Sequence, residues 1–333
     1  MTERLRALLE ELPVFDTDAA DAVRARAAQV LRPSGALARL DELAVHVAGW
    51  QATTSPHVDS PSVIVFAADH GVAAAGVSAY PGEVTAAMLA AVGAGQATIN
   101  AFARAVGATV SVYDVGVGRP TGDIRVESAM TTERFDEAVE TAIRAVDEAV
   151  AAGSDLLALG ELGIGNTTAA AAIASATLGG DPARWVGRGT GIDDDGLVRK
   201  QQAVAQAAAR VAGVDDPIVI MRQVGGAELV AIAAACARAR RHRVPIVIDG
   251  FIATAAMLPL HVAVPGALDH CVVGHRSSEP GHDLLLDHLG MTPLLDLGMR
   301  LGEGSGAVAA VPLVRMACAA VVEVPTFTEW FGE

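Results

Sequence analysis

Gly160-Glu161-Leu162-Gly163-Ile164-Gly165-Asn166-Thr167-Thr168 lies between an apolar run at 156–159 and an alanine-rich run at 169–176. The first run reads as a buried strand and the second as a helix, which makes the nine residues a strand-to-helix turn. Glycines at such a junction let backbone N–H groups face a ligand with no Cβ in the way. The helix that follows adds its own unpaired amides and the positive end of its dipole, a natural anion site. Asn166, Thr167 and Thr168 can cap that helix or donate to an anion. Glu161 does not fit a plain phosphate loop, because a carboxylate repels phosphate. It fits a group that handles a proton or faces a developing positive charge. A phosphate cradle beside a carboxylate points to chemistry on a phosphorylated small molecule.

Similar units recur on both sides. Residues 63–68 form an apolar run ending in Asp69-His70-Gly71, and 110–115 a second run ending in Gly116. Residues 245–250 and 271–274 give a fourth and a fifth strand. Helical patterns separate most of them, which predicts a parallel sheet covered on both faces. Ligands bind beyond the carboxyl ends of such strands. Asp69-His70-Gly71, 114–116, 160–165 and Asp249-Gly250 are therefore expected to converge on one crevice, with Glu303 reaching it from the C-terminal segment. Residues 218–221 look like a strand by β-branching, but Asp216-Pro217 in front is an N-cap with proline in the first turn, so a helix is expected there. Residues 1–60 and 293–324 read as helical, the latter broken at 301–306. The expected organisation is N-terminal helices over 1–60, an α/β nucleotide-binding domain over 61–292, and a C-terminal segment over 293–333 that packs with 1–60.

The chain has 333 residues, 52% of them hydrophobic, a formal charge of −15 and a pI near 5.0. It can bury a large core, and it lacks the basic patch of a phosphate-tracking nucleic-acid binder. The start, MTERLRALLEELP, is charged and helix-like, not a basic-then-apolar leader. Residues 84–103 are uncharged and long enough to span a membrane, but Gly93, Gly95, Gln96 and Asn100 favour a soluble alanine-rich helix. Cys236, Cys271 and Cys318 are widely spaced with no CxxC pair, as in a reducing cytoplasm.

Glu161 and Glu303, each flanked by glycine, are the best pair for acid–base work. Apolar neighbours such as Leu162 and Leu301 can raise a carboxylate's pKa toward neutrality. Residues 187–191, Gly-Arg-Gly-Thr-Gly, form a second glycine loop, and the aspartates at 193–195 suit a helix N-terminus. Lys200 is the one lysine beside 23 arginines, a compact charge where arginine is otherwise used. His270, Cys271, His275, His282, Asp283 and His288 have no regular metal-ligand spacing. No GxxxxGK[ST] or G-x-S-x-G motif is present, and Gly116-Val117-Gly118 lacks the third glycine of a dinucleotide fingerprint.

In combination, AADHGV, VSAYPGEVT, GELGIGNTTAAAA, GRGTGIDDDGL, VGGAEL, PIVIDGF, SSEPGH and MRLGEGSGA resemble the nicotinate-nucleotide:dimethylbenzimidazole phosphoribosyltransferase family, in the same order, over about residues 33–318. The resemblance implies an α/β fold: a Rossmann-like parallel sheet flanked by helices, with a small helical domain from the N- and C-terminal segments. It implies a homodimer that needs no metal or cofactor, beside the composition's own expectation of a cytoplasmic protein that binds neither nucleic acid nor membrane. The implied reaction moves 5-phosphoribosyl from nicotinate mononucleotide to 5,6-dimethylbenzimidazole or a related base. The products are α-ribazole phosphate, for the lower ligand of cobalamin, and nicotinate. On this sequence Glu303 matches the general base and Glu161 a second catalytic carboxylate. Gly163, Gly165, Asn166 and Thr167 match the phosphate loop. Lys200, Asp249, Gly250, Phe251 and Ser277 fall in motifs lining the nucleotide site, and Tyr80, Met88, Leu162 and Leu301 border the base. Ala87-Met88 stands where family members often place a glutamine, which implies a more apolar base pocket.

Overall fold

In the computed structural model, which describes residues 2–332, five parallel strands run in the order β2-β1-β3-β4-β5. They are β1 (Pro61–Ala68), β2 (Thr109–Gly116), β3 (Leu156–Leu162), β4 (Ile246–Ile248) and β5 (Cys271–Val273). Each falls on an expected apolar run. β3 extends further than 156–159, so Glu161 stands on the strand itself, in register with Phe66 of β1. The chain steps from β1 out to β2 and returns to β3 on the other side, which places a topological switch point between β1 and β3.

Side-chain alternation sorts the helices into two layers. Val63, Val65 and Ala67 of β1 face one apolar cluster, while Ile64, Phe66 and Ala68 face the other. The first layer holds α2 (Thr17–Ala27), α3 (Arg39–Gln51), α4 (Val84–Gly93), α5 (Thr98–Val106) and α13 (Ser305–Val322). The second holds α1 (Glu3–Leu8), α6 (Thr132–Ala151), α7 (Asn166–Leu178), α8 (Asp194–Arg210), α9 (Pro217–Val224), α10 (Ala227–Arg241), α11 (Phe251–Ala263) and α12 (Gly281–Leu289). A last short helix, α14 (Phe327–Phe331), follows α13. α10 is buried nearly all round, and its alanines let it lie close to the sheet. α9 is helical because Asp216 accepts from the amides of Ile218 and Val219 and Pro217 suits the first turn, which outweighs the β-branching of Ile218 and Val219.

The C-terminal segment departs from the expected helix. Residues 293–304 form an extended strap, and helix begins only at Ser305. The strap lies along the exit of β5: the amides of Leu294 and Leu295 donate to the carbonyls of Val273 and Gly274, and Arg276 N–H donates to Leu295 O. Glycines 298, 302 and 304 adopt positive φ and interrupt the helical pattern. Residues 84–103 divide into α4 and α5 rather than forming one long span.

The strap delivers Glu303 directly onto β3. A Cβ on Gly160 would lie 2.3 Å from Glu303 O, so only glycine at 160 lets the two backbones meet. Gly160→Ala is expected to lower stability by roughly 1–3 kcal/mol, the range for overpacking a close contact. Thermal unfolding checks this. An unchanged Tm would mean that the strap does not rest on β3.

Candidate active site

The carboxyl ends of β3 and β4 open into a cavity of about 730 Å³, in the size range of small-molecule sites. The N-termini of α7, α11 and α13 surround it, through Asn166, Phe251 and the Glu303–Gly304 turn. They turn the positive ends of three helix dipoles toward the cavity.

Three buried carboxyls converge there. Glu161 comes from β3, Asp249 from the end of β4, and Glu303 from the strap. Asn166 Nδ2 donates to Glu161 Oε2, and Glu161 Oε1 lies so close to Gly302 that a Cβ there would sit 2.3 Å away. Burial, then the neighbouring Asp249 and Glu228, push the Glu161 pKa well above the ordinary range. Glu303 has a left-handed backbone, φ +63°, and is only 4% exposed. Its Oε2 accepts from Ile99 N at 3.2 Å, in the first turn of α5. Burial raises its pKa too, against the pull of that amide. Asp249 Oδ1 accepts from Gly306 N at 2.7 Å and Ala307 N at 3.0 Å, and Oδ2 from Gly304 N at 3.2 Å. Asp249 therefore caps α13 and anchors the Glu303 turn from below. His275 Nε2 stands 3.6 Å from its Oδ1.

Next to these carboxyls the cavity is built for an anion. Gly163, Gly165, Asn166 and Thr167 line it at the start of α7, with Gly250, Phe251 and Ser277 across from them. Ile164 N donates to Thr85 Oγ1 at 3.2 Å, which ties the loop to α4. Lys200 is the expected residue that does not line the cavity. It is 1% exposed, behind the wall, and its Nζ donates to Thr167 Oγ1 at 2.8 Å and Gly187 O at 3.0 Å. Burial lowers its pKa to about 8, partly offset by Glu279. Tyr80, Met88, Leu162 and Leu301 also line the cavity, joined by Val77 and Val84, so one wall is apolar.

Two of the expected strand ends stay out. Asp69 Oδ2 accepts from Gly118 N, and Asp114 Oδ1 accepts from Gly116 N and Val117 N. Both aspartates brace loops beyond β1 and β2. His70 lies behind the glycine loop, with Nε2 2.6 Å from Glu228 Oε1 and both side chains fully buried. Asp193 caps α8 through Gly196 N, so the acidic run serves a helix terminus. Of the histidines from 270 onward, His282 accepts from Ser277 N, while His270 and Cys271 meet Cys236 well away from His275 and Asp249.

Sequence reasoning missed Glu279 and Arg300. Glu279 Oε1 accepts from Gly189 N at 3.1 Å and lines the anion end, and Arg300 holds Gly189 O at its mouth. Both lie inside quoted motifs, SSEPGH and MRLGEGSGA, but neither has the flanking glycines that marked Glu161 and Glu303.

The chain matches the phosphoribosyltransferase family over residues 12–330. A nicotinate-nucleotide–dimethylbenzimidazole phosphoribosyltransferase from Novosphingobium aromaticivorans is 48% identical over 97% of this chain and 95% of its own length. One from Cereibacter sphaeroides is 46% identical over 97% and 95%. The crystal structure of CobT from Thermus thermophilus superimposes with a TM-score of 0.90 at 43% identity, covering 94% of this chain and 98% of that one. With a parallel sheet, an anion loop and paired carboxyls of the kind the motifs imply, the chain belongs to the nicotinate-nucleotide–dimethylbenzimidazole phosphoribosyltransferase family.

Proposed function

We propose that this phosphoribosyltransferase moves 5-phosphoribosyl from nicotinate mononucleotide to 5,6-dimethylbenzimidazole or a related base, giving α-ribazole 5′-phosphate, for the cobalamin lower ligand, and nicotinate. The observation that carries this reading is Glu303. It is a buried carboxyl on a constrained turn, with an apolar wall on one side and an anion loop beyond.

The phosphate binds at the start of α7, on the Gly163–Gly165 loop with Asn166 and Thr167. Lys200 supports it from behind through Thr167, and Ser277, Gly250 and Phe251 form the facing wall. The acceptor base lies among Tyr80, Met88, Leu162 and Leu301, near Glu303. The base's free ring nitrogen attacks C1′ while the bond from C1′ to the nicotinate nitrogen breaks. The electron pair of that bond leaves with nicotinate, and the N–H proton of the base passes to Glu303. A raised pKa makes Glu303 a stronger base than an exposed carboxylate. Glu161 faces the ribosyl cation. The pyridinium charge of the substrate favours its ionised form, against the burial that raises its pKa in the free enzyme. Asp249 positions Glu303 through the α13 amides.

The largely apolar exposed surface of α4 and α5, with Arg104 at its edge, suits a homodimer. Ala86, Ala87, Ala90 and Phe102 are exposed there beside the base wall. The cytoplasmic reading rests on three buried free cysteines. α2, α3 and α13 share one apolar cluster, and we take them as the small helical domain.

Glu303→Gln is expected to cut kcat by about 10²–10⁴, the range for losing a general base, with the fold intact by circular dichroism. In the wild type, kcat/KM should fall with decreasing pH through a pKa above the ordinary 4.5 of glutamate, because only the ionised form accepts the proton. That limb should vanish in the variant; a variant that keeps both rate and limb removes Glu303 from the chemistry.

Lys200→Met keeps the apolar stem and deletes the charge. It should raise KM for nicotinate mononucleotide about tenfold, a charge-assisted contact of roughly 1.5 kcal/mol, and change kcat less. Equal loss in both parameters would instead mark Lys200 as part of the transition-state machinery.

Phe102→Glu should convert the dimer to monomers in sedimentation equilibrium, by burying a charge in an apolar interface. A wild-type chain that sediments as a monomer ends the dimer reading.

A further inference from the structure

Glu279 is a fourth acid on the cavity wall, and the proposed reaction gives it no proton to move. It stands beside the anion loop, where a carboxylate repels phosphate. The residue is nonetheless 7% exposed, and its side chain turns to the glycine loop at 187–191. Oε1 accepts from Gly189 N at 3.1 Å. Oε2 packs against Gly187, where a Cβ would sit 2.1 Å from it, and has no hydrogen-bond partner among the described residues. Glu279 is itself held in place: its N–H donates to Ser277 Oγ at 3.3 Å, and its carbonyl accepts from His282 N at 2.9 Å. The loop has two further anchors. Lys200 Nζ donates to Gly187 O at 3.0 Å, and Arg300 donates to Gly189 O. The cations take its carbonyls and the anion takes an amide. The Glu279 charge also favours the Lys200 ammonium against its burial.

The loop continues to the base wall. Thr190 Oγ1 accepts from Ala79 N at 2.9 Å and meets Ser78 Oγ at 3.0 Å, and Ser78 Oγ accepts from Tyr80 N at 3.2 Å. Gly189 and Thr190 line the cavity themselves. We propose that Glu279 is a positioning residue: by holding the Gly189 amide it keeps the 187–191 loop joined to residues 78–80, and so sets the affinity for the acceptor base from the donor's side of the cavity. The proposal rests on the reaction given above, because it takes Tyr80 as part of the base wall. It accounts for a negative charge in a place where that charge costs donor binding. Hydrogen bonds to ionised acceptors are roughly twice as strong as neutral ones, so a carboxylate fixes the loop more firmly than an amide or hydroxyl. Repulsion and positioning therefore predict opposite results when the charge is removed.

Variants of the full chain separate the two. Glu279→Ala removes both charge and acceptor, and should raise KM for 5,6-dimethylbenzimidazole about tenfold, the loss of one charge-assisted hydrogen bond, with kcat changed less. Glu279→Gln removes the charge but keeps an acceptor for Gly189 N, and should recover most of that loss. Thr190→Val cuts the link to Ala79 and should raise the same KM by itself. Adding Glu279→Ala to it should raise KM little further, as for two residues that act through one contact. Fully additive losses overturn the proposal. So does the pattern of a bare charge, in which both Glu279 variants lower KM for nicotinate mononucleotide alike and leave the acceptor KM unchanged. Hydrogen exchange in the free chain tests the anchor without substrates: residues 187–191 should lose protection in Glu279→Ala and keep it in Glu279→Gln. Unchanged protection in Glu279→Ala overturns the proposal whatever the substrates are, whereas a wild-type chain that makes no α-ribazole phosphate strikes the reaction and leaves this measurement standing. If Glu279→Ala does not fold, Thr190→Val decides, and an unchanged acceptor KM there overturns the proposal.

Discussion

Asp249 holds the site together. Its carboxylate receives three amides from the start of α13 and thereby fixes a turn that glutamate would not otherwise adopt. A non-glycine residue in the left-handed region costs about 1–3 kcal/mol. Hydrogen bonds to a charged group contribute about 1.5–3 kcal/mol each. Three of them outweigh the strain at Glu303, and they also satisfy amides that a helix N-terminus leaves unpaired. The strap from β5 and the close contact at Gly160 complete the restraint. Glu303 therefore faces the cavity because strand, strap and helix are all fastened to one side chain at the end of β4.

The cavity is polar along its length, and this suits the proposed substrate. At one end Glu161, Asp249 and Glu303 crowd together, and mutual repulsion with burial makes their ionisation costly. Beside them the start of α7, Lys200 and Arg300 favour an anion. Nicotinate mononucleotide carries a phosphate at one end of its ribose and a cationic ring at the other. In the proposed binding mode the phosphate meets the start of α7 and the ring faces Glu161, and the formal charge of −15 on the whole chain matters little at such short range. The same crowding lets the free site hold a proton that the substrate's cation displaces.

Much of this was legible in the sequence. All five strands are short β-rich apolar runs, four of them ending in a polar residue and glycine, and the glycine-flanked glutamates stand out against an alanine-rich background. Asp216-Pro217 correctly overrides the strand-like Ile218-Val219-Ile220. What failed depended on contacts far apart in the chain. The 293–304 strap looked helical because its apolar spacing fits a helix, but it pairs with 273–278, about twenty residues earlier, and such pairing leaves no local signal. Asp69 and Asp114 have the same strand-end signature as Asp249, yet the loops that follow them fold back and take up their oxygens. Lys200 is legible as unusual, but its burial follows from how α8 docks on the Gly187–Gly189 loop. Cys236 is separated from His270 and Cys271 by a whole strand and helix, so irregular spacing in sequence concealed their meeting in space.

α10 runs between the two ends of the sheet and explains why its position must be held closely. Its first turn carries Glu228, paired with His70 behind the glycine loop, and Cys236 lies two turns further on. The His70–Glu228 pair is fully buried, and polar groups in such a place are tolerated only while each keeps its hydrogen-bond partner. A slip of α10 along the sheet would separate them and release the support beneath Gly163, which lies against the His70 ring, and Gly165, which lies against the His70 Cβ. Alanine along α10 gives close packing but little to set its register, since small side chains interlock weakly. Register must come from specific contacts at both ends. Near the cavity the buried His70–Glu228 hydrogen bond supplies one, and at the amino end the meeting of Cys236 with His270 and Cys271 supplies the other.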